Sequence, residues 1–394
     1  MAKKNLSARS ITRHAGQRTE EPISYQHSSK VLDDTGGSSP TLPFVHSAEA
    51  LAKFIPLNPD QESAIRQLCR IHPFRIPQFY LRLMETDNPF CPIRQQAVPS
   101  AEELQDGGSD DPLNEQDISI TPVLIRRYEG RAVFLISSEC AMYCRFCNRK
   151  RMVGRGWDPG EFFEESFRYL SGDTTIREVI LSGGDPFMIP PGLLDKILSR
   201  LRTMQHVKTI RISTRLPVVD PGRMTREHFT ILKRHGPLWI VIHINHPREI
   251  TPEFLENVRR FRGAGSVMVS QTVLLRNVND CENILLKLFE ALVSEGVKPY
   301  YLFQLDEVRG GRHFKVRLEK GIRIMKALRA KASGLAMPQY AVDITGGLGK
   351  VPVDYAYLKG RKGKKAYIEN MSGATGIYTD DGDESRCKQC GLCK

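Results

Sequence analysis

No segment of the 394-residue sequence has the composition of a membrane span or an export signal. No uninterrupted apolar run approaches the ~18–20 residues that a bilayer-crossing helix needs, and the N-terminus lacks a charged-then-apolar stretch with a cleavage site. Structural disulfides are also disfavoured, because nine cysteines in a chain without an export signal are more typical of metal ligation or redox chemistry. These absences predict a cytoplasmic protein.

A nucleic-acid-binding motif is also missing, although the chain is basic. Lys and Arg number 57 against 45 Asp and Glu, which gives a formal net charge of +12. These cations are spread along the whole chain, and no aromatic–basic motif of the RNA-binding type accompanies them. Two compatible interpretations remain: a solvated basic surface, and a site that attracts anionic small molecules such as phosphates and carboxylates.

The N-terminal third lacks the strand pattern of the rest of the chain. Residues 1–47 are polar and without periodicity, which predicts a flexible segment. Ser47 then caps a helical pattern, and Asn58 followed by Pro59 caps the next, "DQESAIRQLCRI". Residues 92–125 are rich in Pro, Gly and Asp and predict a connector, so that a helical region and its connector together occupy 48–125.

Six apolar, β-branched runs alternate with six helix-patterned stretches beyond residue 130. The runs are 132–137, 178–182, 207–213, 238–244, 266–275 and 299–305, and the helical stretches are 160–170, 191–204, 224–234, 251–263, 281–295 and 316–332. This alternation predicts an α/β fold with a parallel sheet covered by helices. Periodicity alone leaves both a partial barrel and an open doubly wound sheet as interpretations.

Polar residues follow every one of the six predicted strands. They are Glu139 and Cys140, Gly183 to Asp185, Thr214 and Arg215, Asn245 and His246, Arg276 and Asn277, and Asp306. In either α/β architecture the carboxyl ends of parallel strands meet at one edge, where ligands bind. A shared functional site is therefore the simplest explanation of these strand exits.

Three cysteines without a fourth follow the first predicted strand. Cys140, Cys144 and Cys147 form C-x3-C-x2-C within "SSECAMYCRFCNRKRMVG". A [4Fe–4S] cluster has four irons, so three thiolates leave one iron open for another ligand. The alternative is a zinc loop whose fourth ligand lies elsewhere in the chain.

This spacing, placed after the first strand of a βα chain, resembles the radical S-adenosylmethionine (SAM) enzymes. The resemblance implies a partial (β/α)6 barrel and a [4Fe–4S] cluster whose open iron binds SAM and cleaves it to a 5′-deoxyadenosyl radical. "LSGGDP" resembles the superfamily's glycine motif, which assigns Gly183, Gly184 and Asp185 to SAM binding. Taken alone, the same letters also fit an ordinary turn after a strand.

A lysine within a glycine-rich loop is the second chemical feature. "VDITGGLGKVPV" spans residues 342–353 and lacks the spacing and the Ser or Thr of a phosphate-binding Walker loop, since Val351 follows the lysine. Lys350 fits either an ordinary surface position or a Schiff base with pyridoxal 5′-phosphate (PLP).

Together with the cysteines, this loop makes the chain resemble the lysine 2,3-aminomutases, isomerases that depend on PLP and SAM. The resemblance covers about residues 90 to 375. The motifs that carry it, in order, are "DPLNEQD", "RRYEGRAVFL", "CAMYCRFCNRKR", "SGGDP", "TRLPVV", "HINHPREIT", "SQTVLLRNVNDC", "PYYLFQLDEVRGGRHF" and "GGLGKVPV".

The resemblance implies a role for each matching position. Lys350 would form the Schiff base, Arg127 and Arg131 would hold the PLP phosphate, and Tyr128 would lie near the ring. His243 and Gln271 would contact SAM, and Arg149 would bind the substrate carboxylate with its forked guanidinium. Asp306 and Asp343 would receive the ammonium of the substrate side chain. Without the resemblance, a surface role for the two basic residues near Tyr128 and a satisfied core role for His243 would stay open.

The acidic pair favours L-lysine as the substrate and β-lysine as the product. Two carboxylates that face one site repel each other unless a cation lies between them, so a glutamate-specific relative is not expected to carry both Asp306 and Asp343. Arginine, and a lysine destined for a translation factor, stay open as alternative substrates. The alternative from another class is a non-catalytic iron–sulfur sensor that binds nucleic acid, against which Lys350 argues.

The C-terminal cysteines Cys387, Cys390 and Cys393 complete the inventory. The resemblance implies that they bind zinc together with Cys281 of a neighbouring subunit, in a dimer or tetramer. A second iron–sulfur cluster or free thiols stay open, because the first tail spacing departs from the family pattern. The resemblance also implies a one-electron reductant such as flavodoxin or ferredoxin.

The sequence therefore predicts four regions. They are a flexible polar segment over 1–47, a helical region with its connector over 48–125, a barrel over 126–335, and a cofactor- and metal-binding segment over 336–394.

Overall fold

A computed structural model describes residues 44–105 and 107–380. Nearly all of the predicted flexible segment 1–47 lies outside these residues, as do the three tail cysteines. Among the described residues, no helix combines the length and the apolar composition that crossing a bilayer demands.

Within the described residues, the strands form one large sheet and two small ones. They are β1 (Phe44–Val45), β2 (Ile76–Pro77), β3 (Ser119–Thr121), β4 (Leu124–Tyr128), β5 (Arg131–Ser137), β6 (Glu178–Gly183), β7 (Thr209–Thr214), β8 (Trp239–His243), β9 (Val267–Leu274), β10 (Lys298–Gln304), β11 (Gln339–Ile344), β12 (Gly349–Pro352), β13 (Leu358–Lys362), β14 (Lys365–Glu369) and β15 (Thr375–Thr379). Strands β3 to β12 follow one another in the large sheet, β1 pairs with β2, and β13 to β15 form an antiparallel sheet.

The helices lie between the strands of the large sheet and in the N-terminal region. They are α1 (Ala48–Leu51), α2 (Pro59–Ile71), α3 (Gln78–Leu81), α4 (Pro92–Ala97), α5 (Phe163–Gly172), α6 (Pro191–Thr203), α7 (Leu216–Val219), α8 (Arg226–Arg234), α9 (Pro252–Gly263), α10 (Glu282–Ser294) and α11 (Leu318–Lys331). The two predicted N-caps are confirmed, since Ser47 accepts from Ala50 N and Asn58 accepts from Gln61 N.

The predicted α/β fold with a parallel sheet is confirmed. The runs predicted as strands correspond to β5 to β10, which pair in parallel, and the predicted helices correspond to α5, α6, α8, α9, α10 and α11. Their apolar faces form one continuous core. The ring of Phe134, for example, packs edge-to-face with the rings of Phe163 and Phe167, with 5.3 Å between ring centroids in both pairs.

The large sheet extends beyond the predicted strands at both edges. β3 and β4 precede β5 in antiparallel pairing, and β11 continues the parallel order before β12 turns back. The predicted connector 92–125 therefore contains α4, β3 and the start of β4. β4 is not recognisable as a strand from the apolar pattern, because its sequence, "LIRRY", has two arginines in five residues.

The large sheet curves around an interior cavity. Alternate residues of β6 and β7 pack outward against helices, including Val179, Leu181 and Ile210, whereas Ile180 and Arg211 line the cavity. Every strand from β4 to β12 contributes a side chain to this one cavity. Such a lining requires a curved sheet, which is the partial barrel that the sequence analysis predicts.

Candidate active site

The cavity has a volume of about 370 Å³ and brings together predicted site residues from the barrel strands, the loops that follow them and the last hairpin of the large sheet. It is lined by Arg127, Tyr128, Arg131, Cys140, Cys144, Cys147, Arg149, Gly183, Gly184, Asp185, His243, Gln271, Asp306, Asp343 and Lys350. Cys281 lies apart from it, at the start of α10, and is partly exposed. Cys387, Cys390 and Cys393 lie outside the described residues.

The N-terminal region holds the loop that carries the three cavity cysteines. Arg145, fully buried between Cys144 and Cys147, donates from Nε and Nη2 to the two carboxylate oxygens of Glu103 at 2.9 and 2.7 Å. Its backbone N–H also donates to Gln96 O. A buried arginine without its carboxylate would be costly, so this ion pair fixes the loop that presents the thiols.

The donor set fits an iron–sulfur cluster better than a single ion. In the described part of the chain, no group of three His, Cys, Asp or Glu side chains is arranged to hold one metal ion. A four-iron cluster binds each thiolate to a different iron, so its ligands lie farther apart. Burial, followed by neighbouring negative charges, raises the pKa of Cys140 well above its ordinary value, and the same causes raise the pKa of Cys147 to about 11. Bound iron would supply the positive charge that these thiols need to ionise.

Two glycines let β6 approach the cysteine loop closely. A Cβ on Gly183, where φ is +116°, would lie 2.3 Å from Ser137 O, and one on Gly184 would lie 2.2 Å from Glu139 O. Asp185, the next residue, accepts from Thr214 Oγ1 and from the backbone N–H groups of Arg215 and Leu216. Its carboxylate therefore connects the residues that follow β6 to those that follow β7 by hydrogen bonds. The contact of Asp185 with SAM stays a prediction.

His243, the last residue of β8, lies beside Gln271, its register partner within β9. Burial lowers the pKa of His243 to about 3, with a smaller contribution from the charge of Arg215. The imidazole is therefore neutral at physiological pH. Its Nε2 lies 3.2 Å from Asn245 Oδ1, and its ring is 5.6 Å from that of Phe146.

Lys350 enters the cavity from the hairpin of β11 and β12. The antiparallel register places it opposite Asp343, whose Oδ2 lies 3.8 Å from Lys350 Nζ. The amine also lies 4.0 Å above the ring of Phe303. Burial lowers the pKa of Lys350, which the nearby carboxylates partly oppose. A lowered pKa makes the neutral, nucleophilic amine more accessible.

The glycines of the hairpin are required by its backbone. Gly346, Gly347 and Gly349 have φ values of +80°, +83° and +96°, a region that residues with a Cβ rarely adopt. Lys350 N donates to Tyr128 Oη at 2.8 Å, and a Cβ on Gly349 would approach the same hydroxyl at 3.2 Å. The hairpin is thereby packed against β4.

Three arginines line the part of the cavity near Tyr128. Arg131 stacks on the Tyr128 ring at 4.0 Å, and Arg127 contacts Asp343 at 3.5 Å while it donates to Leu113 O. The Nε of Arg127 is buried without a hydrogen-bond partner among the described residues. An orphaned donor beside other cations fits a phosphate. Arg211 is the third arginine, which the sequence analysis missed because it lies within an apolar strand.

The predicted substrate anchors have partners of their own in the cavity. Asp306 is partly buried, accepts from Asn148 Nδ2 at 2.9 Å, and has its pKa raised to about 7 by burial and by the charge of Asp343. Arg149 donates from Nε and Nη2 to Glu115 and from Nη1 to Ser182 Oγ at 3.0 Å. The predicted carboxylate-binding arginine is therefore already paired.

Glu115 is the most consequential residue that the sequence analysis missed. It lies in the predicted connector and also pairs with Arg151 at 3.1 Å. Burial alone would raise the pKa of Glu115, but the charges and hydrogen bonds of Arg149 and Arg151 lower it to about 2. The "DPLNEQD" motif that contains it was the only signal in the sequence, and that motif does not indicate the partner.

Two family models match the chain. The Radical SAM superfamily model matches residues 134–289, and the Lysine-2,3-aminomutase model matches residues 325–391. The chain is 36% identical over 353 residues to the L-lysine 2,3-aminomutase of Clostridium subterminale, covering 89% of this chain and 85% of that one. It is 40% identical over 342 residues to a putative L-lysine 2,3-aminomutase of Aquifex aeolicus, covering 85% and 92%.

A relative with another named substrate is also similar. The glutamate 2,3-aminomutase of Clostridioides difficile is 33% identical over 339 residues, covering 83% of this chain and 80% of that one. Among solved structures, a radical SAM methyltransferase from Sphaerobacter thermophilus matches with a TM-score of 0.40 and 17% identity, covering 56% of this chain and 68% of that one.

Proposed function

Because the chain belongs to the lysine 2,3-aminomutase family of the Radical SAM superfamily, we propose that it interconverts L-lysine and β-lysine by moving the amino group between the α- and β-carbons. The single observation that carries this substrate is the pair of neighbouring carboxylates, Asp306 and Asp343, that lines the cavity. Relatives named for lysine and for glutamate are both similar to this chain in sequence. Overall similarity therefore does not identify the substrate, and the side chains that line the cavity have to.

The acidic pair supports a cationic side chain in the substrate. Partial burial raises the pKa of Asp306, and the charge of Asp343 further opposes its ionisation. An ammonium group between the two would remove this repulsion, whereas the carboxylate of glutamate would add a third negative charge. Arg149 would bind the carboxylate at the other end of the substrate, in a position that Glu115 and Ser182 fix. Two ends held in this way would align the β-carbon for reaction.

The residues around Lys350 in the cavity fit PLP as the cofactor. Lys350 would bind it covalently, Arg127, Arg131 and Arg211 would hold its phosphate, and Tyr128 would lie beside its ring. Bound PLP would supply an electron-poor carbon to which the substrate nitrogen stays bonded during migration. Tyr128 also positions the lysine, because its hydroxyl accepts from Lys350 N.

A [4Fe–4S] cluster and SAM follow from membership in the Radical SAM superfamily. Cys140, Cys144 and Cys147 would ligate three irons. When bound, the cluster and SAM would supply the radical chemistry that the amino migration needs. The neutral His243 and Gln271 would contact SAM, and the curved sheet would keep water away from the radical.

Zinc and an oligomer belong to the same proposal. Cys281 is partly exposed at the start of α10, where another subunit could reach it, and it forms no disulfide with any cysteine among the described residues. It would bind zinc with Cys387, Cys390 and Cys393 of a neighbouring subunit. A flavodoxin or ferredoxin would deliver the electron. Metal analysis of Cys281→Ser tests this part, because retention of full zinc would contradict it.

Alanine variants of the acidic pair test the proposed substrate. Asp306→Ala and Asp343→Ala should each lower kcat/KM for lysine by several orders of magnitude, because each removes one of the two carboxylates that would hold the substrate ammonium and lets the β-carbon drift. SAM should still bind in both variants, and PLP should still bind in Asp306→Ala, whereas Asp343→Ala also removes a contact of Arg127 and Lys350. Asp60→Ala, on the exposed start of α2, is the matched control and should be unaffected. Near wild-type turnover of lysine by either cavity variant would rule out the pair as the substrate anchor.

A further inference from the structure

Two motifs of the sequence, "TRLPVV" and "HINHPREIT", contain a buried ion pair to which the proposed function gives no role. Arg215 follows β7, and Glu249 ends a short 3-10 turn after β8. Arg215 Nη2 lies 2.8 Å from Glu249 Oε1, and the two side chains are 8% and 0% exposed. Burying both charges is costly unless the geometry is well satisfied, so the pair calls for an explanation.

The surrounding hydrogen bonds fix Glu249 in place. Its Oε2 accepts from the backbone N–H groups of Asn245 at 2.7 Å and His246 at 2.8 Å, and its Oε1 also accepts from Tyr80 Oη at 2.7 Å. Each carboxylate oxygen is thus held by protein donors besides Arg215. Glu249 is therefore a rigid anchor for the guanidinium.

The guanidinium is fixed at its other side as well. Arg215 Nη2 donates to Gln96 Oε1 at 2.6 Å, and Gln96 in turn accepts from Asn245 Nδ2 at 2.9 Å. The plane of Arg215 lies over the Phe146 ring at 5.3 Å. A planar cation with this many partners has one available orientation.

That orientation points Arg215 Nη1 at a predicted cluster ligand. Nη1 donates to Cys144 Sγ at 2.8 Å. The Nε of Arg215 is buried and, within the part of the chain that the structure describes, has no hydrogen-bond partner. Because Arg215 lines the cavity beside the cysteines, a bound cluster would offer this remaining donor a sulfur acceptor. An unsatisfied buried donor is otherwise destabilising.

We propose that Arg215 is a positioning residue that raises the reduction potential of the cluster through its hydrogen bond to Cys144 Sγ and its buried positive charge. Reduction adds a negative charge that spreads over the sulfurs, and hydrogen bonds and cations near them stabilise the reduced form. Glu249 orients Arg215 and offsets part of its charge. This inference rests on the proposed cluster, and it gives the ion pair a function in electron uptake.

An electron paramagnetic resonance redox titration of the reconstituted protein, without SAM, tests the inference. Arg215→Met removes the charge and the donor at similar length and should lower the potential. The shift should change the oxidised-to-reduced ratio at fixed potential at least tenfold, which is about 59 mV for a one-electron couple. Glu249→Gln keeps Arg215 but removes the offsetting anion, so it should raise the potential.

The expected shifts in reduction potential have opposite signs in Arg215→Met and Glu249→Gln. A general disruption of the hydrogen-bond network would instead shift the potential of both variants in the same direction. Arg202→Met is the matched control. Arg202 donates to His235 O and Pro237 O before β8, at the amino end of the sheet, and its loss should leave the potential unchanged. Shifts of equal sign in the two test variants, or no shift in Arg215→Met, would overturn the inference.

Iron and sulfide content, measured on the same samples, distinguishes failure of the inference from failure of the proposed function. Wild-type protein that takes up no cluster would contradict the proposed function itself. A normal potential combined with weakened SAM binding in Arg215→Met would identify Arg215 as a SAM ligand and would overturn the inference. If Arg215→Met does not fold, Glu249→Gln and the charge-conserving Arg215→Lys decide: the first should raise the potential, and the second should lower it through the lost geometry.

Discussion

The ionisation of Asp306 controls how strongly the cavity attracts a cation. Its pKa is raised to about 7 by burial and by the charge of Asp343. Binding of an ammonium group requires the ionised carboxylate, so the affinity for lysine should fall as the pH falls through this value. We expect a loss of up to about tenfold for each pH unit below about 7, measured as Kd for lysine in the presence of PLP.

Asp306→Asn is the control for this pH dependence. The amide cannot titrate, so the variant should bind lysine weakly and with little change between acidic and neutral pH. Wild-type affinity that stays constant across the same interval would show that Asp306 does not face the substrate cation.

Glu115 stabilises the fold by pairing with Arg149 and Arg151. A carboxyl whose pKa falls on folding adds stability above its ordinary value of 4.5, and that stability is lost as the pH falls towards about 2. The shift corresponds to about 3 kcal/mol. Glu115→Gln should therefore unfold at lower urea concentration than the wild type at pH 7, and the difference should shrink as the pH falls below about 4.5. A difference that does not depend on pH would contradict this explanation.

Single positions differed in how well the sequence revealed them. Lys350, Asp306 and the cysteines could be predicted because each lies in a motif with its own chemistry. Glu115 could not be paired with Arg149, because the two are 34 residues apart and join different elements. Arg211 was hidden because the strand pattern "TIRIST" does not show whether its arginine faces the cavity or solvent.

At the scale of elements, the exit of β6 must lie directly against the cysteine loop. A Cβ on Gly184 would lie 2.2 Å from Glu139 O and 2.6 Å from Glu139 C, so Gly184→Ala must displace one of the two backbones. We expect this variant to lose most of its iron, while PLP still binds at Lys350 on the far hairpin. Iron analysis and the PLP absorption band measure the two effects.

Gly172→Ala, at the end of α5, is the matched control because nothing lies within 4 Å of the added Cβ. It should keep its iron. Full iron occupancy in Gly184→Ala would show that the cysteine loop tolerates displacement and that the close approach is not needed for the cluster.

The central elements could be predicted because β5 to β10 are apolar and are separated by amphipathic helices. The edges could not. β4 carries two adjacent arginines, of which Arg127 lines the cavity, and β12 spans only Gly349–Pro352, so neither shows an apolar alternation. The three strands β13 to β15 are largely exposed, and without a buried face they leave little periodicity to read.

At the scale of the whole molecule, one cavity joins regions that are distant in sequence. The N-terminal region contributes Glu103 and Gln96, which hold the cysteine loop and Arg215, and the hairpin of β11 and β12 contributes Lys350. The predicted cofactor residues and the predicted substrate residues thereby line one cavity. This arrangement is what a reaction that combines a radical with a covalently held amino group requires.

Turnover of L-lysine is the most direct test of the account. The reconstituted protein, under anaerobic conditions with reductant, SAM and PLP, would be given lysine with a heavy-nitrogen label on the α-amino group, alongside arginine, glutamate and peptide-bound lysine. Mass spectrometry should detect β-lysine that carries the label on its β-carbon, and lysine should be the preferred substrate. Absence of labelled β-lysine, with turnover of another amino acid in the panel, would contradict the account.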